Sequence, residues 1–358
     1  MVVEGGRIAS IGSAPVSAAE VLEGRGLLLA PGFVDLQCNG AVGIDLALEP
    51  ERLWDVAAAL PRWGVTAWLP TIITSPPEIT DRALATLAAG PPRGIGPVAR
   101  PLGLHLEGPF LAEARKGAHP TRHLRLPDPT RAATWSRESG VALVTLAPEL
   151  PGALDLIADL VRRGVVVSLG HSAATAAEAA AAIDRGASMV THLFNAMDPL
   201  RHRAPTLVAQ ALADERLSSG LIADGLHVDP TVVVGAWRAL GRRLVLVTDA
   251  VGALGIPPGE RRLGDGIGVV TVGPGGVRLA DGTLAGSNLS MDAAVRNLAA
   301  WTGCGLAGAV DAATAAPAKV LGLGDRGVVR VGAVADLVLM TAGGDLVTTI
   351  ADGRPAVS

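Results

Sequence analysis

A chain of 358 residues, 49% hydrophobic and 18% charged with a formal net charge of −4, is long enough to bury a full core without disulfide or metal staples. That composition excludes a disordered, collagen-like or coiled-coil chain. Its 45 glycines and 25 prolines interrupt the apolar stretches before any reaches the roughly 20 residues of a membrane span. With no basic run and only two lysines, Lys116 and Lys319, it carries no electrostatic footprint for nucleic acid, so the expected partner is a small molecule.

The opening residues Met1-Val2-Val3-Glu4-Gly5-Gly6 put an acid and a glycine pair where an export signal has a basic and then an apolar stretch. Two cysteines, Cys38 and Cys304, are too few for a disulfide framework, which fits a reducing, cytoplasmic setting. In chain order, residues 2–3, 7–11 and 27–30 read as short strands between Gly, Ser and Pro turns. Eight apolar runs follow, at 33–37, 65–71, 102–107, 141–147, 165–171, 189–194, 220–224 and 244–249. Between them lie Ala/Leu-rich helical segments, among them 51–62, 77–88, 175–185 and 231–239. Residues 327–339 and 346–350 read as strands again, with a turn at Ala351-Asp352-Gly353. The alternation predicts an α/β fold: a (β/α)8 TIM-like barrel over 31–324, with a small β-sandwich built from 1–30 and 325–358.

Gln37, Glu107, His171, His192, Asp224 and Asp249 each fall at or just past the C-terminal end of a run, where such a barrel keeps its active site. All seven histidines lie between 105 and 227. Alone, a strand-end Glu is usually solvated and a lone His usually a hydrogen-bonded core residue. Together, Glu107, His171 and His192 make the Glu-His-His set of many catalytic zinc sites, with a position left open. Asp249 could be a helix cap, but beside a metal its carboxylate suits a general base that becomes a general acid. Ser172 lacks the Gly-x-Ser-x-Gly setting of a serine nucleophile, and the Gly-rich stretches 252–259 and 273–276 lack nucleotide-binding order, so both stretches read as turns.

Several segments together carry a family resemblance. They are residues 31–40, His105-Leu106-Glu107-Gly108-Pro109 with Gly117-Ala118-His119-Pro120, Gly170-His171-Ser172, and Thr191-His192-Leu193-Phe194-Asn195-Ala196-Met197. Asp224-Gly225-Leu226-His227, Thr248-Asp249-Ala250 and Leu284-Ala285-Gly286-Ser287 complete the set. In order and spacing the chain resembles the N-acetylglucosamine-6-phosphate deacetylase family of the amidohydrolase superfamily. The resemblance implies metal-dependent hydrolysis of the acetamide of an N-acetylated amino-sugar phosphate, in amino-sugar catabolism and cell-wall recycling. The alternatives are a deacetylase for the galactosamine epimer, another N-acyl or cyclic-amide hydrolase, or a sugar-phosphate-binding protein without turnover.

Also by resemblance, Glu107, His171 and His192 bind one divalent metal, Zn²⁺ first and Fe²⁺, Co²⁺ or Mn²⁺ next, and Asp249 is the acid/base. His119 contacts the acetyl carbonyl. Ala118, Asn195, Ala196, Leu284, Ala285 and Gly286 contact the substrate, with Arg203 and His227 on its phosphate. Gln37 and Asn39 stand where many amidohydrolases carry a His-x-His pair for a second metal. Neither amide is a strong ligand, so one metal is expected, with Gln37 holding its water; Cys38 reads as a buried thiol. The loop at 110–127 reads equally as a lid or a static loop. A homodimer whose neighbouring subunit completes the phosphate site is implied by the resemblance alone.

Overall fold

The computed structural model describes residues 1–12 and 20–356; residues 13–19 and 357–358, inside the segments read as the small sheet domain, lie outside the described residues. Among the described residues, eight parallel strands form one curved sheet: β1 Phe33–Cys38, β2 Val65–Ile73, β3 Leu104–Glu107, β4 Val141–Leu146, β5 Val166–Leu169, β6 Met189–Val190, β7 Ser218–Leu221 and β8 Leu244–Leu246. They pair in sequence order from β1 to β8, and a ninth, two-residue strand, Arg100–Pro101, pairs with β2 off that path. Past the end of β8, a bridge between Cys38 and Ala250 joins the chain back to β1, and Asp249 N–H donates to the Gln37 carbonyl at 2.8 Å. Helices such as Pro77–Ala89, Ala153–Arg162, Ala176–Asp184 and Pro230–Leu240 return the chain between strands. Every residue of β1 and β4 is buried, as expected of strands covered by helices outside and by one another inside.

Each of the eight apolar runs becomes a strand, but several ladders stop short of their runs. The run 165–171 pairs only over Val166–Leu169, 189–194 only over Met189–Val190, and 244–249 only over Leu244–Leu246. Beyond each ladder the backbone turns into the left-handed region, with φ of 49° at His171, 27° at His192 and 48° at Asp249. Each such residue costs roughly 1–3 kcal/mol and persists only where its surroundings hold it. The turn takes these side chains out of the up-down alternation of a strand and over the barrel mouth.

The segments at either side of the barrel meet. Leu28–Pro31 pairs antiparallel with Leu337–Met340, which pairs with Leu346–Ala351, while the hairpin Val2–Glu4/Arg7–Ser10 joins through an Arg7–Val334 bridge. Ile8, Ala333, Ala335, Leu337 and Ile350 form their core. Gly32 then leads into β1; a Cβ there would lie 2.2 Å from Thr66 Oγ1, so only glycine allows β1 this close to β2.

The helix Ala176–Asp184 opens on a capping box. Glu178 N–H donates to Thr175 Oγ1 at 3.3 Å and Thr175 N–H to Glu178 Oε2 at 2.8 Å. Thr175→Ala is expected to lower the unfolding free energy by about 1 kcal/mol, read from the denaturant midpoint.

A small sheet after β8 was not read from the sequence. Gly259–Leu263, Gly268–Gly273 and Gly276–Arg278 form an antiparallel three-stranded sheet. Leu263, Val270, Val272 and Val277 make its own small apolar cluster with Val251, Ala253 and Ala285. The 273–276 stretch is the tight turn of that sheet. Among the described residues no helix is long and apolar enough to cross a membrane.

Candidate metal and catalytic site

Glu107, last residue of β3, is 2% exposed, and its Oε1 lies 3.1 Å from His171 Nε2 and 3.0 Å from His192 Nε2. The two ring nitrogens are themselves 3.1 Å apart. His171 Nδ1 sits 2.9 Å from the Arg115 carbonyl, which can only accept, so Nδ1 carries a proton and the ring turns Nε2 inward. A carboxylate oxygen and two imidazole nitrogens meeting at one point, buried, are satisfied by a cation; the donor set fits a divalent metal. His119 offers a further nitrogen: Glu107, His119 and His171 present ligand atoms all within 4.8 Å of one another. Its Nε2 is 3.7 Å from Glu107 Oε2, however, outside the tight triangle. Burial alone would raise Glu107, but the hydrogen bonds from His171 and His192 outweigh it and hold the carboxylate well below its usual range.

His119 faces the same point from the loop after β3. Its Nδ1 lies 2.9 Å from Thr74 Oγ1 and 3.4 Å from Thr74 N–H, both able to donate. Burial, with the neighbouring His171, pushes His119 down to about 3, so the ring is neutral. Nδ1 accepts and the proton sits on Nε2, directed at the Glu107-His171-His192 cluster.

Across the mouth, Asp249 Oδ1 accepts from Asn39 Nδ2 at 2.7 Å and from Gln37 Nε2 at 3.1 Å. Gln37 Nε2 also reaches Glu107 Oε1 at 3.0 Å. Burial and the Glu107 carboxylate push Asp249 up to about 6. Asn39, read in the sequence only as a weak ligand, is thus a direct partner of Asp249; its place two residues after Gln37, just past the end of β1, was the available signal. Cys38, between them, is fully buried.

Glu107, His119, His171, His192, Asn39 and Asp249 line a cavity of about 240 Å³. Ala118, Asn195, Ala196, His227, Leu284, Ala285 and Gly286 line it too. Asn195 Nδ2 is already donated to the backbone carbonyls of His192 and Leu193. His227 Nδ1 is paired with Asp224 Oδ2 at 2.7 Å. Arg203 is exposed on the loop before Leu207–Ala213 and is not among the residues lining the cavity. Ser172 donates its hydroxyl to Glu149. Leu263 and Ile267, from the unread insertion, close one wall, and Asp45 binds that insertion by accepting from Gly264 N–H at 3.0 Å.

Gly286 has φ +65°, and a Cβ there would lie 2.4 Å from Val251 Cγ1 and 3.0 Å from the Asp249 carbonyl. Gly286→Ala is expected to displace Asp249 and slow turnover by up to ~100-fold. Gly282→Ala, at φ +88° with nothing within 4 Å, carries the same backbone strain without the collision and should stay close to the parent rate.

Residues 28–356 match the amidohydrolase family. N-acetylglucosamine-6-phosphate deacetylase of Danio rerio is 40% identical over 329 residues, 87% of this chain and 80% of that protein. N-acetylgalactosamine-6-phosphate deacetylase of Escherichia coli O157:H7 is 40% identical over 344 residues, 94% of this chain and 89% of that one. Among solved structures, a mutant N-acetyl-D-glucosamine-6-phosphate deacetylase from Mycobacterium smegmatis, in complex with N-acetyl-D-glucosamine-6-phosphate, superposes with a TM-score of 0.90 at 34% identity. That match covers 99% of this chain and 94% of that one. With its barrel, its Glu-His-His cluster and its relatives in agreement, the chain belongs to the amidohydrolase family, among its N-acetylglucosamine-6-phosphate deacetylases.

Proposed function

We propose that this chain hydrolyses the acetamide of N-acetyl-D-glucosamine 6-phosphate to D-glucosamine 6-phosphate and acetate. One observation carries the chemistry: Asp249, fixed by two amides through Oδ1, faces the Glu107-His171-His192 triangle across one small buried cavity. Glu107, His171 and His192 would hold a single divalent ion. Zn²⁺ suits the Glu-His-His set best, with Fe²⁺, Co²⁺ and Mn²⁺ sharing the same donors. When bound, such an ion polarises a carbonyl and lowers the pKa of water towards ~7.

The protein's own groups supply the rest. With Oδ1 occupied by Asn39 and Gln37, Oδ2 of Asp249 is left to take a proton from the attacking water. Collapse of the tetrahedral species needs that proton on the departing amine, and Asp249 returns it there. His119, neutral with its proton on Nε2, donates to the oxygen on which negative charge develops. Gln37 ties Glu107 to Asp249 and so sets the ligand set and the base at a fixed spacing. No covalent enzyme intermediate is required.

Ala118, Asn195, Ala196, Leu284, Ala285 and Gly286 form the sugar-contacting wall in this reading, with His227 and Arg203 as partners of the phosphate. Arg203 reaches that role only if its exposed loop meets the substrate, as in a homodimer where a second subunit closes the site. The same reading places the protein in the cytoplasm, in keeping with two free cysteines. It also takes 1–30 with 325–358 as one small unit beside the barrel.

The similarity to the Escherichia coli N-acetylgalactosamine-6-phosphate deacetylase gives the epimer a specific claim as second substrate. Acetate and free amine are therefore measured with both N-acetylated hexosamine 6-phosphates and with unphosphorylated N-acetylglucosamine. Turnover of the glucosamine compound ahead of its epimer, with little on the unphosphorylated sugar, is expected. Preference for the epimer or for the unphosphorylated sugar would overturn the proposed substrate.

A further inference from the structure

We infer a second anion site, on the face of the barrel away from the metal cluster, that takes a small phosphate-bearing molecule. A cavity of about 480 Å³ lies where the small sheets meet the N-terminal ends of the strands, beside Thr66 at the start of β2. It has twice the volume of the cavity at the mouth, room for a phosphate on a small organic body.

Four arginines line it, Arg7, Arg100, Arg326 and Arg354, against two carboxylates, Asp336 and Asp352. Asp336 is committed: it pairs with the mostly buried Arg326, and its Oδ1 accepts from Asp352 N–H at 2.8 Å. Arg7 is held by Asp325 at 3.2 Å. Arg100 and Arg354 are exposed at the rim and make no ion pair among the described residues. Burial pushes Arg326 below its usual range, with Asp325 and Asp352 opposing that push and Arg100 and Arg7 adding to it. Arginines that line one concave polar space suit phosphate oxygens, a guanidinium being able to give two parallel N–H···O bonds.

The site is distinct from the catalytic reading. The two cavities share no lining residue, and this one sits at the opposite ends of the strands. It does touch the strand that carries Gln37, because Gly32 N–H, just before β1, donates to the Asp336 carbonyl at 2.8 Å.

The test is equilibrium dialysis of radiolabelled inorganic phosphate against the full chain at constant ionic strength, comparing the parent with Arg100→Ala/Arg354→Ala. Both substitutions are at exposed positions outside the catalytic cavity, and an unchanged melting temperature in phosphate-free buffer confirms that the variant is folded. The expected result is two classes of phosphate site in the parent, of which the variant weakens one at least ~10-fold and leaves the other. His227→Asn should do the reverse, weakening the class that the double variant spares. Identical binding by parent and double variant, or loss of all phosphate binding on His227→Asn alone, would overturn the second site. If the double variant unfolds, Arg354→Gln alone is used, with a smaller loss of the same class expected and no loss overturning the site.

Discussion

Asp249→Asn is expected to lower kcat by ~10²–10⁴-fold while metal content stays at that of the parent. The substitution is nearly isosteric. An amide oxygen accepts from Asn39 and Gln37 as the carboxylate oxygen does, so the side chain keeps its place. What is lost is the second oxygen, replaced by a nitrogen that cannot take up the proton of water. Steady-state acetate release, read beside substrate affinity and bound metal, separates loss of the base from loss of the site. A variant within tenfold of the parent rate would remove Asp249 from the chemistry. A parent protein that binds the sugar phosphate but releases no acetate would make the chain a binding protein instead.

Chelation should take turnover to background, and a single equivalent of divalent ion per chain should restore it. The stoichiometry follows from the first strand. Gln37 and Asn39 point amide N–H groups at Asp249, so the space beside it is lined by donors, which repel a cation. Glu107→Ala removes the one oxygen shared by both imidazoles and is expected to abolish metal uptake, measured by elemental analysis of the purified protein. Recovery that needs two equivalents would overturn the single-ion reading.

The barrel was legible because its strands are apolar on both faces and bounded by Gly or Pro, a pattern that helix-covered parallel strands require. Glu107, His171, His192 and Asp249 were legible because polar residues at the ends of such runs have few packing explanations. The residues that stayed hidden depend on pairings the sequence does not display. Asn39 gains its role only when β1 meets the chain beyond β8, 210 residues away. The insertion over 259–278 opens with three consecutive charged residues, Glu260-Arg261-Arg262, before Leu263; along that first strand burial alternates but the sequence shows no apolar run. Strand ends were overrun because the apolar runs continue past the last ladder bond, where the backbone turns left-handed at His171, His192 and Asp249.

The shared sheet has a consequence for how the protein is made. Leu28–Pro31 pairs with Leu337–Met340, about 310 residues later. At a synthesis rate of ~5–20 residues per second, the earlier strand waits roughly 15–60 s on the ribosome for its partner. During that interval Leu28 and Leu29 have no cross-strand cover, and the barrel can form before they do. A nascent chain stalled before residue 337 should therefore expose residues 28–31 to protease while the barrel strands are already protected.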